Sequence, residues 1–429
     1  MKSVSTNKYQ EIFTACASIL NPESVITRDN IPWEAPPLSL ALTPGIIPSC
    51  LVYPQTASQL AEIVTLAHKN QWSILPCGHQ SKLSWGGLAK SADIILSTAR
   101  LNQLVDHAVG DLTITVEAGM KFADLQQILA QKQQFLAIDP IYPESATIGG
   151  IIATADTGSW RQRYGSVRDQ LLGITFIRSD GEVAKAGGRV VKNVAGYDLM
   201  KLFTGSYGTL GVLTQVTFRV YPKLPASLTV MLTGTPSAIS QTAATLRNSA
   251  LTPTQADMIM QDGAIALVTR FQSIPESVEE QGNQVLQLGE KLGLQGTIYR
   301  DAEEEKLWQG LRESIHGVGD DSPITCKIGI LPSAAIEILT QVDLGVVHIA
   351  SGLGVLRVRG NDAVREISKW RSLCEQNQGF LSILSAPVAV KQKLDVWGYA
   401  GNGLQLMQLI KQQFDSQNIF SPGRFVGGI

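Results

Sequence analysis

Residues 146–214 read ATIGGIIATADTGSWRQRYGSVRDQLLGITFIRSDGEVAKAGGRVVKNVAGYDLMKLFTGSYGTLGVLT, and twelve of the chain's 39 glycines fall between Gly149 and Gly211. Glycine weakens helices and strands, so such a density is expected where backbone turns left-handed or approaches something closely. The glycines alternate with strand-like runs, Ile174–Ile177 and Val212–Val220. Rigid sheet mixed with bare backbone suggests a cradle for a large, polar, phosphate-bearing ligand, not a linker.

Outward from this block, the chain has 429 residues, enough for two domains and a small terminal appendage. Apolar residues make up 44% and charged residues 17%, an ordinary globular balance. A net charge of −2 argues against a nucleic-acid partner, because no excess of Lys and Arg waits for phosphates. The five cysteines (Cys16, Cys50, Cys77, Cys326, Cys374) are scattered and form no CxxC pair. Zinc ribbons and iron–sulfur ligation by this chain are therefore not expected, and a reduced, cytoplasmic compartment fits. The opening MKSVSTNKYQEIFTACASIL is too polar for a secretion signal. No run of eighteen apolar residues predicts a membrane span, which leaves peripheral attachment through a partner open.

Residues 1–47 read as a helix over Lys8–Leu20 and Pro-rich extended chain. A domain over 48–224 opens with a strand ending at Tyr53, then a helix with Leu60, Ile63, Val64 and Ala67 on one face, capped by Thr56. WSILPCGHQSK follows as strand and turn, giving a βαβ-like opening. Residues 93–97 and 112–117 read as strands, Lys121–Gln134 as an amphipathic helix, and Ser179-Asp180-Gly181 as a hairpin turn. Past Pro222 the glycine density falls, and residues 225–395 alternate strands and helices. They are expected to form an α+β cap on an antiparallel sheet. Residues 396–429 form a closing segment, an amphipathic helix ending in a Pro-Gly turn.

Four clusters could carry chemistry. In Pro76-Cys77-Gly78-His79-Gln80-Ser81-Lys82 a strand feeds a tight loop. Successive N–H groups there can form an anion nest, or the loop can be an ordinary turn. Ala146-Thr147-Ile148-Gly149-Gly150, after the turn at Pro140 and Pro143, offers bare backbone and the Thr147 hydroxyl to a pyrophosphate. Between Gly158 and Asp169 stand Arg161, Arg163 and Arg168 around Tyr164-Gly165. Three close arginines form either a solvated face or an anion site. Last come Lys192-Asn193-Val194-Ala195-Gly196-Tyr197-Asp198 and the run Gly205–Val212, whose GxxGxxG is followed by a strand. That is not a dinucleotide fingerprint, so a nicotinamide site is disfavoured.

Read together, PQTASQLAEIV, PCGHQSK, TVEAGM, ATIGG, RYGSVRD and VVKNVAGYDLMKLFTGSYGTLGVLT resemble the FAD-binding domain of the p-cresol methylhydroxylase (vanillyl-alcohol oxidase) type. Within that family the last of these is similar to the E subunit of bacterial glycolate oxidase (glycolate dehydrogenase). FDSQNIFSPGRF is similar to the family's ending. The implied fold is α+β: a two-subdomain FAD-binding domain of this type with an antiparallel-sheet cap. The implied FAD site is split. Pro76, Cys77, Gly78, His79, Gln80, Ser81 and Lys82 would hold the pyrophosphate together with Pro143, Ala146, Thr147, Gly149, Gly150 and Thr154. Gly211 and Val212 would meet the adenine. Gly158, Arg163, Tyr164 and Gly165 would line the isoalloxazine side, with Pro422, Gly423 and Arg424 closing over the flavin.

Three departures qualify the resemblance. The glycine triplet of the pyrophosphate loop is replaced by Gly78-His79-Gln80, and His79 is displaced from the position that attaches flavin in some relatives, so the FAD is expected to be non-covalent. Where the related catalytic subunits carry a His-x-Gly-Asp-Gly-Asn-x-His metal motif, this chain has His348-Ile349-Ala350-Ser351-Gly352-Leu353-Gly354-Val355. A lone histidine is more often structural than a ligand, and no metal is expected. Among His68, His79, His107, His316 and His348 no catalytic base stands out. Arg163 or Arg168 is the candidate carboxylate partner. The resemblance implies an FAD-dependent oxidoreductase subunit for a small 2-hydroxy acid, glycolate or D-lactate. It would work with a homologous flavoprotein subunit and an iron–sulfur subunit, in the cytoplasm or held at the inner membrane by partners. A stand-alone dehydrogenase and a flavin-binding assembly scaffold are the rival readings.

Overall fold

The computed structural model describes residues 2–189, 196–317, 324–359 and 362–429. Contacts divide them into two units. One comprises the chain up to Thr157 with Ser166–Pro222 and Ala400–Ile429, the other Gly158–Gly165 with Lys223–Tyr399.

The first unit begins as its sequence predicts. Thr56 accepts the Gln59 N–H at 3.2 Å and starts the helix Ala57–Asn70, whose Leu60, Ile63, Val64 and Ala67 are wholly buried. Strands Cys50–Val52 and Ile74–Cys77 flank Ile94–Ser97 in parallel, and Val25–Thr27 adds an antiparallel edge. The closing segment returns to this sheet. The Ile74 N–H donates to the Ile419 carbonyl at 2.7 Å, and the Ile74 carbonyl accepts the Ser421 N–H at 2.9 Å.

A second sheet in this unit runs in the order Leu104–Ala108, Thr113–Glu117, Val212–Arg219, Leu171–Ile177, Val183–Gly187, all antiparallel. Its last two strands are the hairpin predicted around Ser179-Asp180-Gly181. The helix expected over Lys121–Gln134 is shorter, Phe122–Ala130. Gln133 turns left-handed (φ 54°), and Gln134–Phe135 extends to pair with Tyr221–Pro222. Pairing with a distant strand wins over local helical periodicity there.

The second unit is built on one antiparallel eight-stranded sheet. Its order is Gln295–Tyr299, Ala226–Thr233, Ala264–Ser273, Gln255–Gln261, Leu344–His348, Leu353–Val358, Ile324–Gly329, Phe380–Ser385. One face buries Leu228, Val230, Leu232, Leu267 and Ile328 in a single apolar cluster, which also takes in Ile239, Val285, Ile338 and Trp370 from four helices. The opposite face is apolar only in part, where Leu307, Trp308, Leu311 and Ile315 of helix Asp301–His316 pack on Val268, Val346 and Val355. No helix was expected at Asp301–His316. Its acidic first turn (Asp301, Glu303, Glu304) complements the positive end of the helix and is the signal that marks it. Among the described residues, no helix is long and apolar enough to cross a membrane.

Candidate functional site

Strand Ile74–Cys77 ends in the loop that the sequence singled out. The loop turns back on itself: the Leu83 N–H donates to the Gln80 carbonyl at 3.0 Å, and the Trp85 N–H to the Lys82 carbonyl at 3.0 Å. Gln80 takes a left-handed conformation (φ 64°), which a side chain adopts only when its surroundings hold it there. Among the described residues, the backbone N–H groups of residues 78–82 donate to no protein acceptor. A run of unpaired donors on a turning backbone is what an anion nest consists of.

Gly78 is fixed by close approach. A Cβ at that position would stand 2.1 Å from the Thr147 hydroxyl. Thr147 in turn caps the helix Ile148–Thr154, accepting the Gly150 N–H at 3.2 Å. The paired glycines expected as bare loop therefore lie in the first turn of a helix. Gly149 is buried against Ala118, where a Cβ would stand 3.0 Å from the Ala118 side chain, and at Gly150 a Cβ would stand 3.0 Å from the Thr147 hydroxyl; both glycines line the cleft. A third strand of chain closes the wall. The Tyr207 N–H donates to the Ala153 carbonyl, and Tyr207 and Gly208 are both left-handed (φ 54° and 71°).

These three pieces line one open cleft. Phe203, Leu213 and Val212 supply apolar wall, while Lys82, Ser81, Thr98, Ser206 and Arg424 supply polar groups. Lys82 is 6% exposed and donates to Asp156 at 2.8 Å; Asp156 also accepts the Ile141 N–H at 3.2 Å. Burial lowers the Lys82 ammonium pKa, and Asp156 opposes that shift. The Arg424 guanidinium donates to the carbonyls of Ala41, Leu83 and Trp85, and burial brings its pKa down to about 10. Burial likewise pushes the Cys77 thiol up to about 12 and raises the Tyr207 phenol, so neither is an anion near neutral pH. Lys82 and Arg424 thus line the cleft as buried basic groups, with Asp156 paired to Lys82.

Of the residues expected in the site, Pro76, Cys77, Gly78, His79, Gln80, Ser81, Lys82, Thr147, Gly149, Gly150, Thr154, Gly211 and Val212 line this cleft. Pro143 and Ala146 sit behind it, where the Ala123 N–H donates to the Pro143 carbonyl and the Phe122 N–H to the Ala146 carbonyl. Gly158, Arg163, Tyr164 and Gly165 belong to the second unit. The arginine cluster is divided: Arg163 is exposed in the second unit, while Arg168 is exposed in the first, 3.9 Å from Asp169. Lys192-Asn193-Val194-Ala195 lies outside the described residues. Arg424 lines the cleft, as does Tyr207, which the sequence reading did not single out.

The second unit holds polar groups whose association no local motif signals. Glu304, 2% exposed, pairs with Arg270 at 3.0 Å and accepts from the hydroxyls of Ser227 and Thr229. Asp257, 3% exposed, accepts the Ser159 hydroxyl at 2.7 Å and lies 2.7 Å from His348 Nδ1. His348 therefore does have an acidic partner, supplied from 91 residues away. An aspartate inside the otherwise buried strand Gln255–Gln261 was the only sequence signal for it.

Comparison with known proteins supplies the ligand class. Residues 48–187 match the family described as "FAD binding domain". The chain is 26% identical over 424 residues to the D-2-hydroxyglutarate dehydrogenase of Stutzerimonas stutzeri (strain A1501), covering 88% of this chain and 90% of that protein. It is 41% identical over 128 residues to the glycolate oxidase subunit GlcE of Escherichia coli (strain K12), covering 30% of this chain and 37% of that one. The solved structure of p-cresol methylhydroxylase with substrate bound superposes with a TM-score of 0.77 at 15% identity, over 97% of this chain and 96% of that one. The fold is thus the expected p-cresol methylhydroxylase type with an antiparallel second sheet, the cofactor class is FAD, and the chain falls among FAD-binding oxidoreductases. The cleft suits that cofactor: unpaired N–H donors and buried basic groups for phosphates, apolar wall for flat rings.

Proposed function

We propose that this chain is the FAD-binding subunit of a glycolate oxidase-type complex and oxidises a small 2-hydroxy acid, glycolate or D-lactate, to the 2-oxo acid. The observation that carries the flavin part is the loop at residues 78–82, with its unpaired N–H donors beside Lys82. Gly78, Gln80, Ser81 and Lys82 would hold the pyrophosphate non-covalently, with the Gly149-Gly150 turn opposite and Arg424 balancing its charge. When bound, flavin supplies two-electron oxidation of a carbon bearing a hydroxyl. The protein's part is to fix the acid, exclude water and accept the hydroxyl proton.

Relatives named for 2-hydroxy acids support the substrate class, and the 41% identity over 128 residues to a protein named as a glycolate oxidase subunit supports the subunit role. In this reading electrons leave through a homologous flavoprotein subunit and an iron–sulfur subunit, in the cytoplasm or at the inner membrane through those partners. The full-length likeness to D-2-hydroxyglutarate dehydrogenase favours a second reading, a stand-alone dehydrogenase.

Anaerobic absorption spectra of the purified protein, before and after adding glycolate, D-lactate or D-2-hydroxyglutarate, decide between them. Bleaching by glycolate or D-lactate only in the presence of partner subunits is expected. Bleaching of the isolated chain by D-2-hydroxyglutarate would establish the second reading. No bound flavin, even after adding FAD, would overturn both.

A further inference from the structure

Within the first unit, stretches of chain far apart in sequence meet at one lysine. Lys411 stands in the last turn of helix Leu404–Phe414 and is 6% exposed, although Gln408, Leu409, Gln412 and Gln413 around it are exposed. Burying a basic side chain is costly unless its hydrogens find partners. Its nitrogen has three acceptors: the Asp415 carboxylate at 2.6 Å, the Phe420 carbonyl at 2.9 Å and the Thr209 carbonyl at 2.9 Å. That is as many as an ammonium has hydrogens. Asp415, 1% exposed, also accepts the Ile419 and Phe420 N–H groups, at 3.0 and 2.8 Å. The helix end and the chain that follows it are thereby tied into one piece.

Both ends of this brace lead to the lining of the cleft. Phe420 lies between Ile419 and Ser421, which are hydrogen-bonded to Ile74, so this end is fixed to the strand whose Pro76 and Cys77 line the cleft. Thr209 follows Ser206, Tyr207 and Gly208, a second stretch of the lining. Its N–H and its hydroxyl both donate to the Ser206 carbonyl, at 3.1 and 2.7 Å, and close the left-handed Tyr207–Gly208 turn. The two stretches touch at Gly208, where a Cβ would stand 3.6 Å from Pro76 and 3.5 Å from the Ser421 hydroxyl. We infer that Lys411 is a positioning residue for the cofactor: outside the lining itself, it holds the Ser206–Gly208 turn against strand Ile74–Cys77 and the closing segment at the spacing FAD requires. This role rests on the cleft being the flavin site. The Tyr207 and Phe425 rings, 6.1 Å apart, join the same turn to the closing segment a second time, so loss of Lys411 weakens the arrangement without dissolving it. Coupling of this kind is reciprocal, and bound FAD should in turn steady the closing segment.

The test separates FAD affinity from fold stability. The full chain, stripped of flavin, is titrated with FAD at a temperature where circular dichroism shows each variant folded. Lys411→Met is expected to weaken FAD binding by about tenfold, the usual size of one hydrogen bond to a charged group. Should it fail to fold, Lys411→Met combined with Asp415→Asn removes the charge left behind, and the same loss is expected. Leu129→Ala, in a helix with no residue on the cleft, costs stability through core packing alone and should keep the parent's affinity. Hydrogen exchange read by mass spectrometry is the second measurement. FAD should slow exchange in the peptides that carry Thr209 and Ile419–Phe420 of the parent, and slow it less in Lys411→Met. Parent affinity in the lysine variant overturns the inference. So do equal weakening in Leu129→Ala, which would make the effect one of stability, and exchange that FAD leaves unchanged. Gly78→Ala tells this failure from that of the reading beneath it. If that variant also binds FAD as the parent does, the cleft is not the flavin site and both fail; if it alone binds weakly, only the brace fails.

Discussion

Each unit buries an aspartate against partners far away in sequence, and these two aspartates are held differently. Asp156 in the first unit meets the Lys82 amine across 74 residues. Asp257 in the second meets a serine hydroxyl and a histidine, across 98 and 91 residues. The first arrangement fixes a charge beside a cleft that suits an anionic cofactor. The second ties the histidine at the end of a strand to a carboxyl group.

The largest test of that contrast is Lys82→Met. Removing one partner of a buried ion pair leaves an uncompensated charge, and the expected cost is about 3–5 kcal/mol in urea unfolding. Adding Asp156→Asn should recover most of it. If the single variant were as stable as the parent, Asp156 would not be a fixed anion, and the contrast would collapse. Next in size is Asp257→Asn, where two hydrogen bonds to a charged group are weakened at an expected cost of about 1.5–3 kcal/mol. Its flavin content should stay at the parent level, since none of its partners lines the cleft. Loss of flavin from this variant would show that the two regions are not separate in function.

A smaller effect separates packing from chemistry within the first unit. Gly78→Ala drives a Cβ into Thr147, and flavin retention should fall by at least about tenfold, equivalent to ~1.4 kcal/mol. Gly110→Ala, where nothing lies within 4 Å, serves as the matched control and should leave flavin content unchanged. Equal retention in both would mean that the cradle is looser than its geometry.

What could be read from the sequence divides along the same line. The first unit's site is built from short runs, and residues 76–82 and 147–150 carry their glycines and hydroxyls next to one another. Local spacing therefore suffices to find them. Even there the reading took Thr147–Gly150 for a loop, because a threonine before two glycines signals a turn as readily as a helix cap. In the second unit, Asp257 and His348 become neighbours only through strand register, and Ser159 arrives from outside the sheet's own sequence. Register is set by hydrophobic pattern along whole strands, so no local motif records it. Arg270 and Glu304 escaped notice for the same reason.

The smallest prediction concerns His79, the one histidine lining the first unit's cleft. Burial, and after it the charge of Lys121, lowers its pKa below the ordinary value of 6.5. As pH falls through 6.5 the unfolded chain takes up a proton that the folded chain still refuses. The unfolded state then binds more protons, and stability declines toward acid pH. His79→Gln removes that term, so the stability gap between parent and variant should narrow or reverse between pH 7.5 and pH 5.5, and change little above 7.5. Urea unfolding of both proteins at the two pH values measures it. The comparison of the two units turns on the sign, because a cleft of otherwise fixed charge predicts that its acid sensitivity comes from this residue. A parent and variant with parallel pH dependence would place that sensitivity elsewhere, and the carboxylate network of Asp257 and His348 would be the next region to examine.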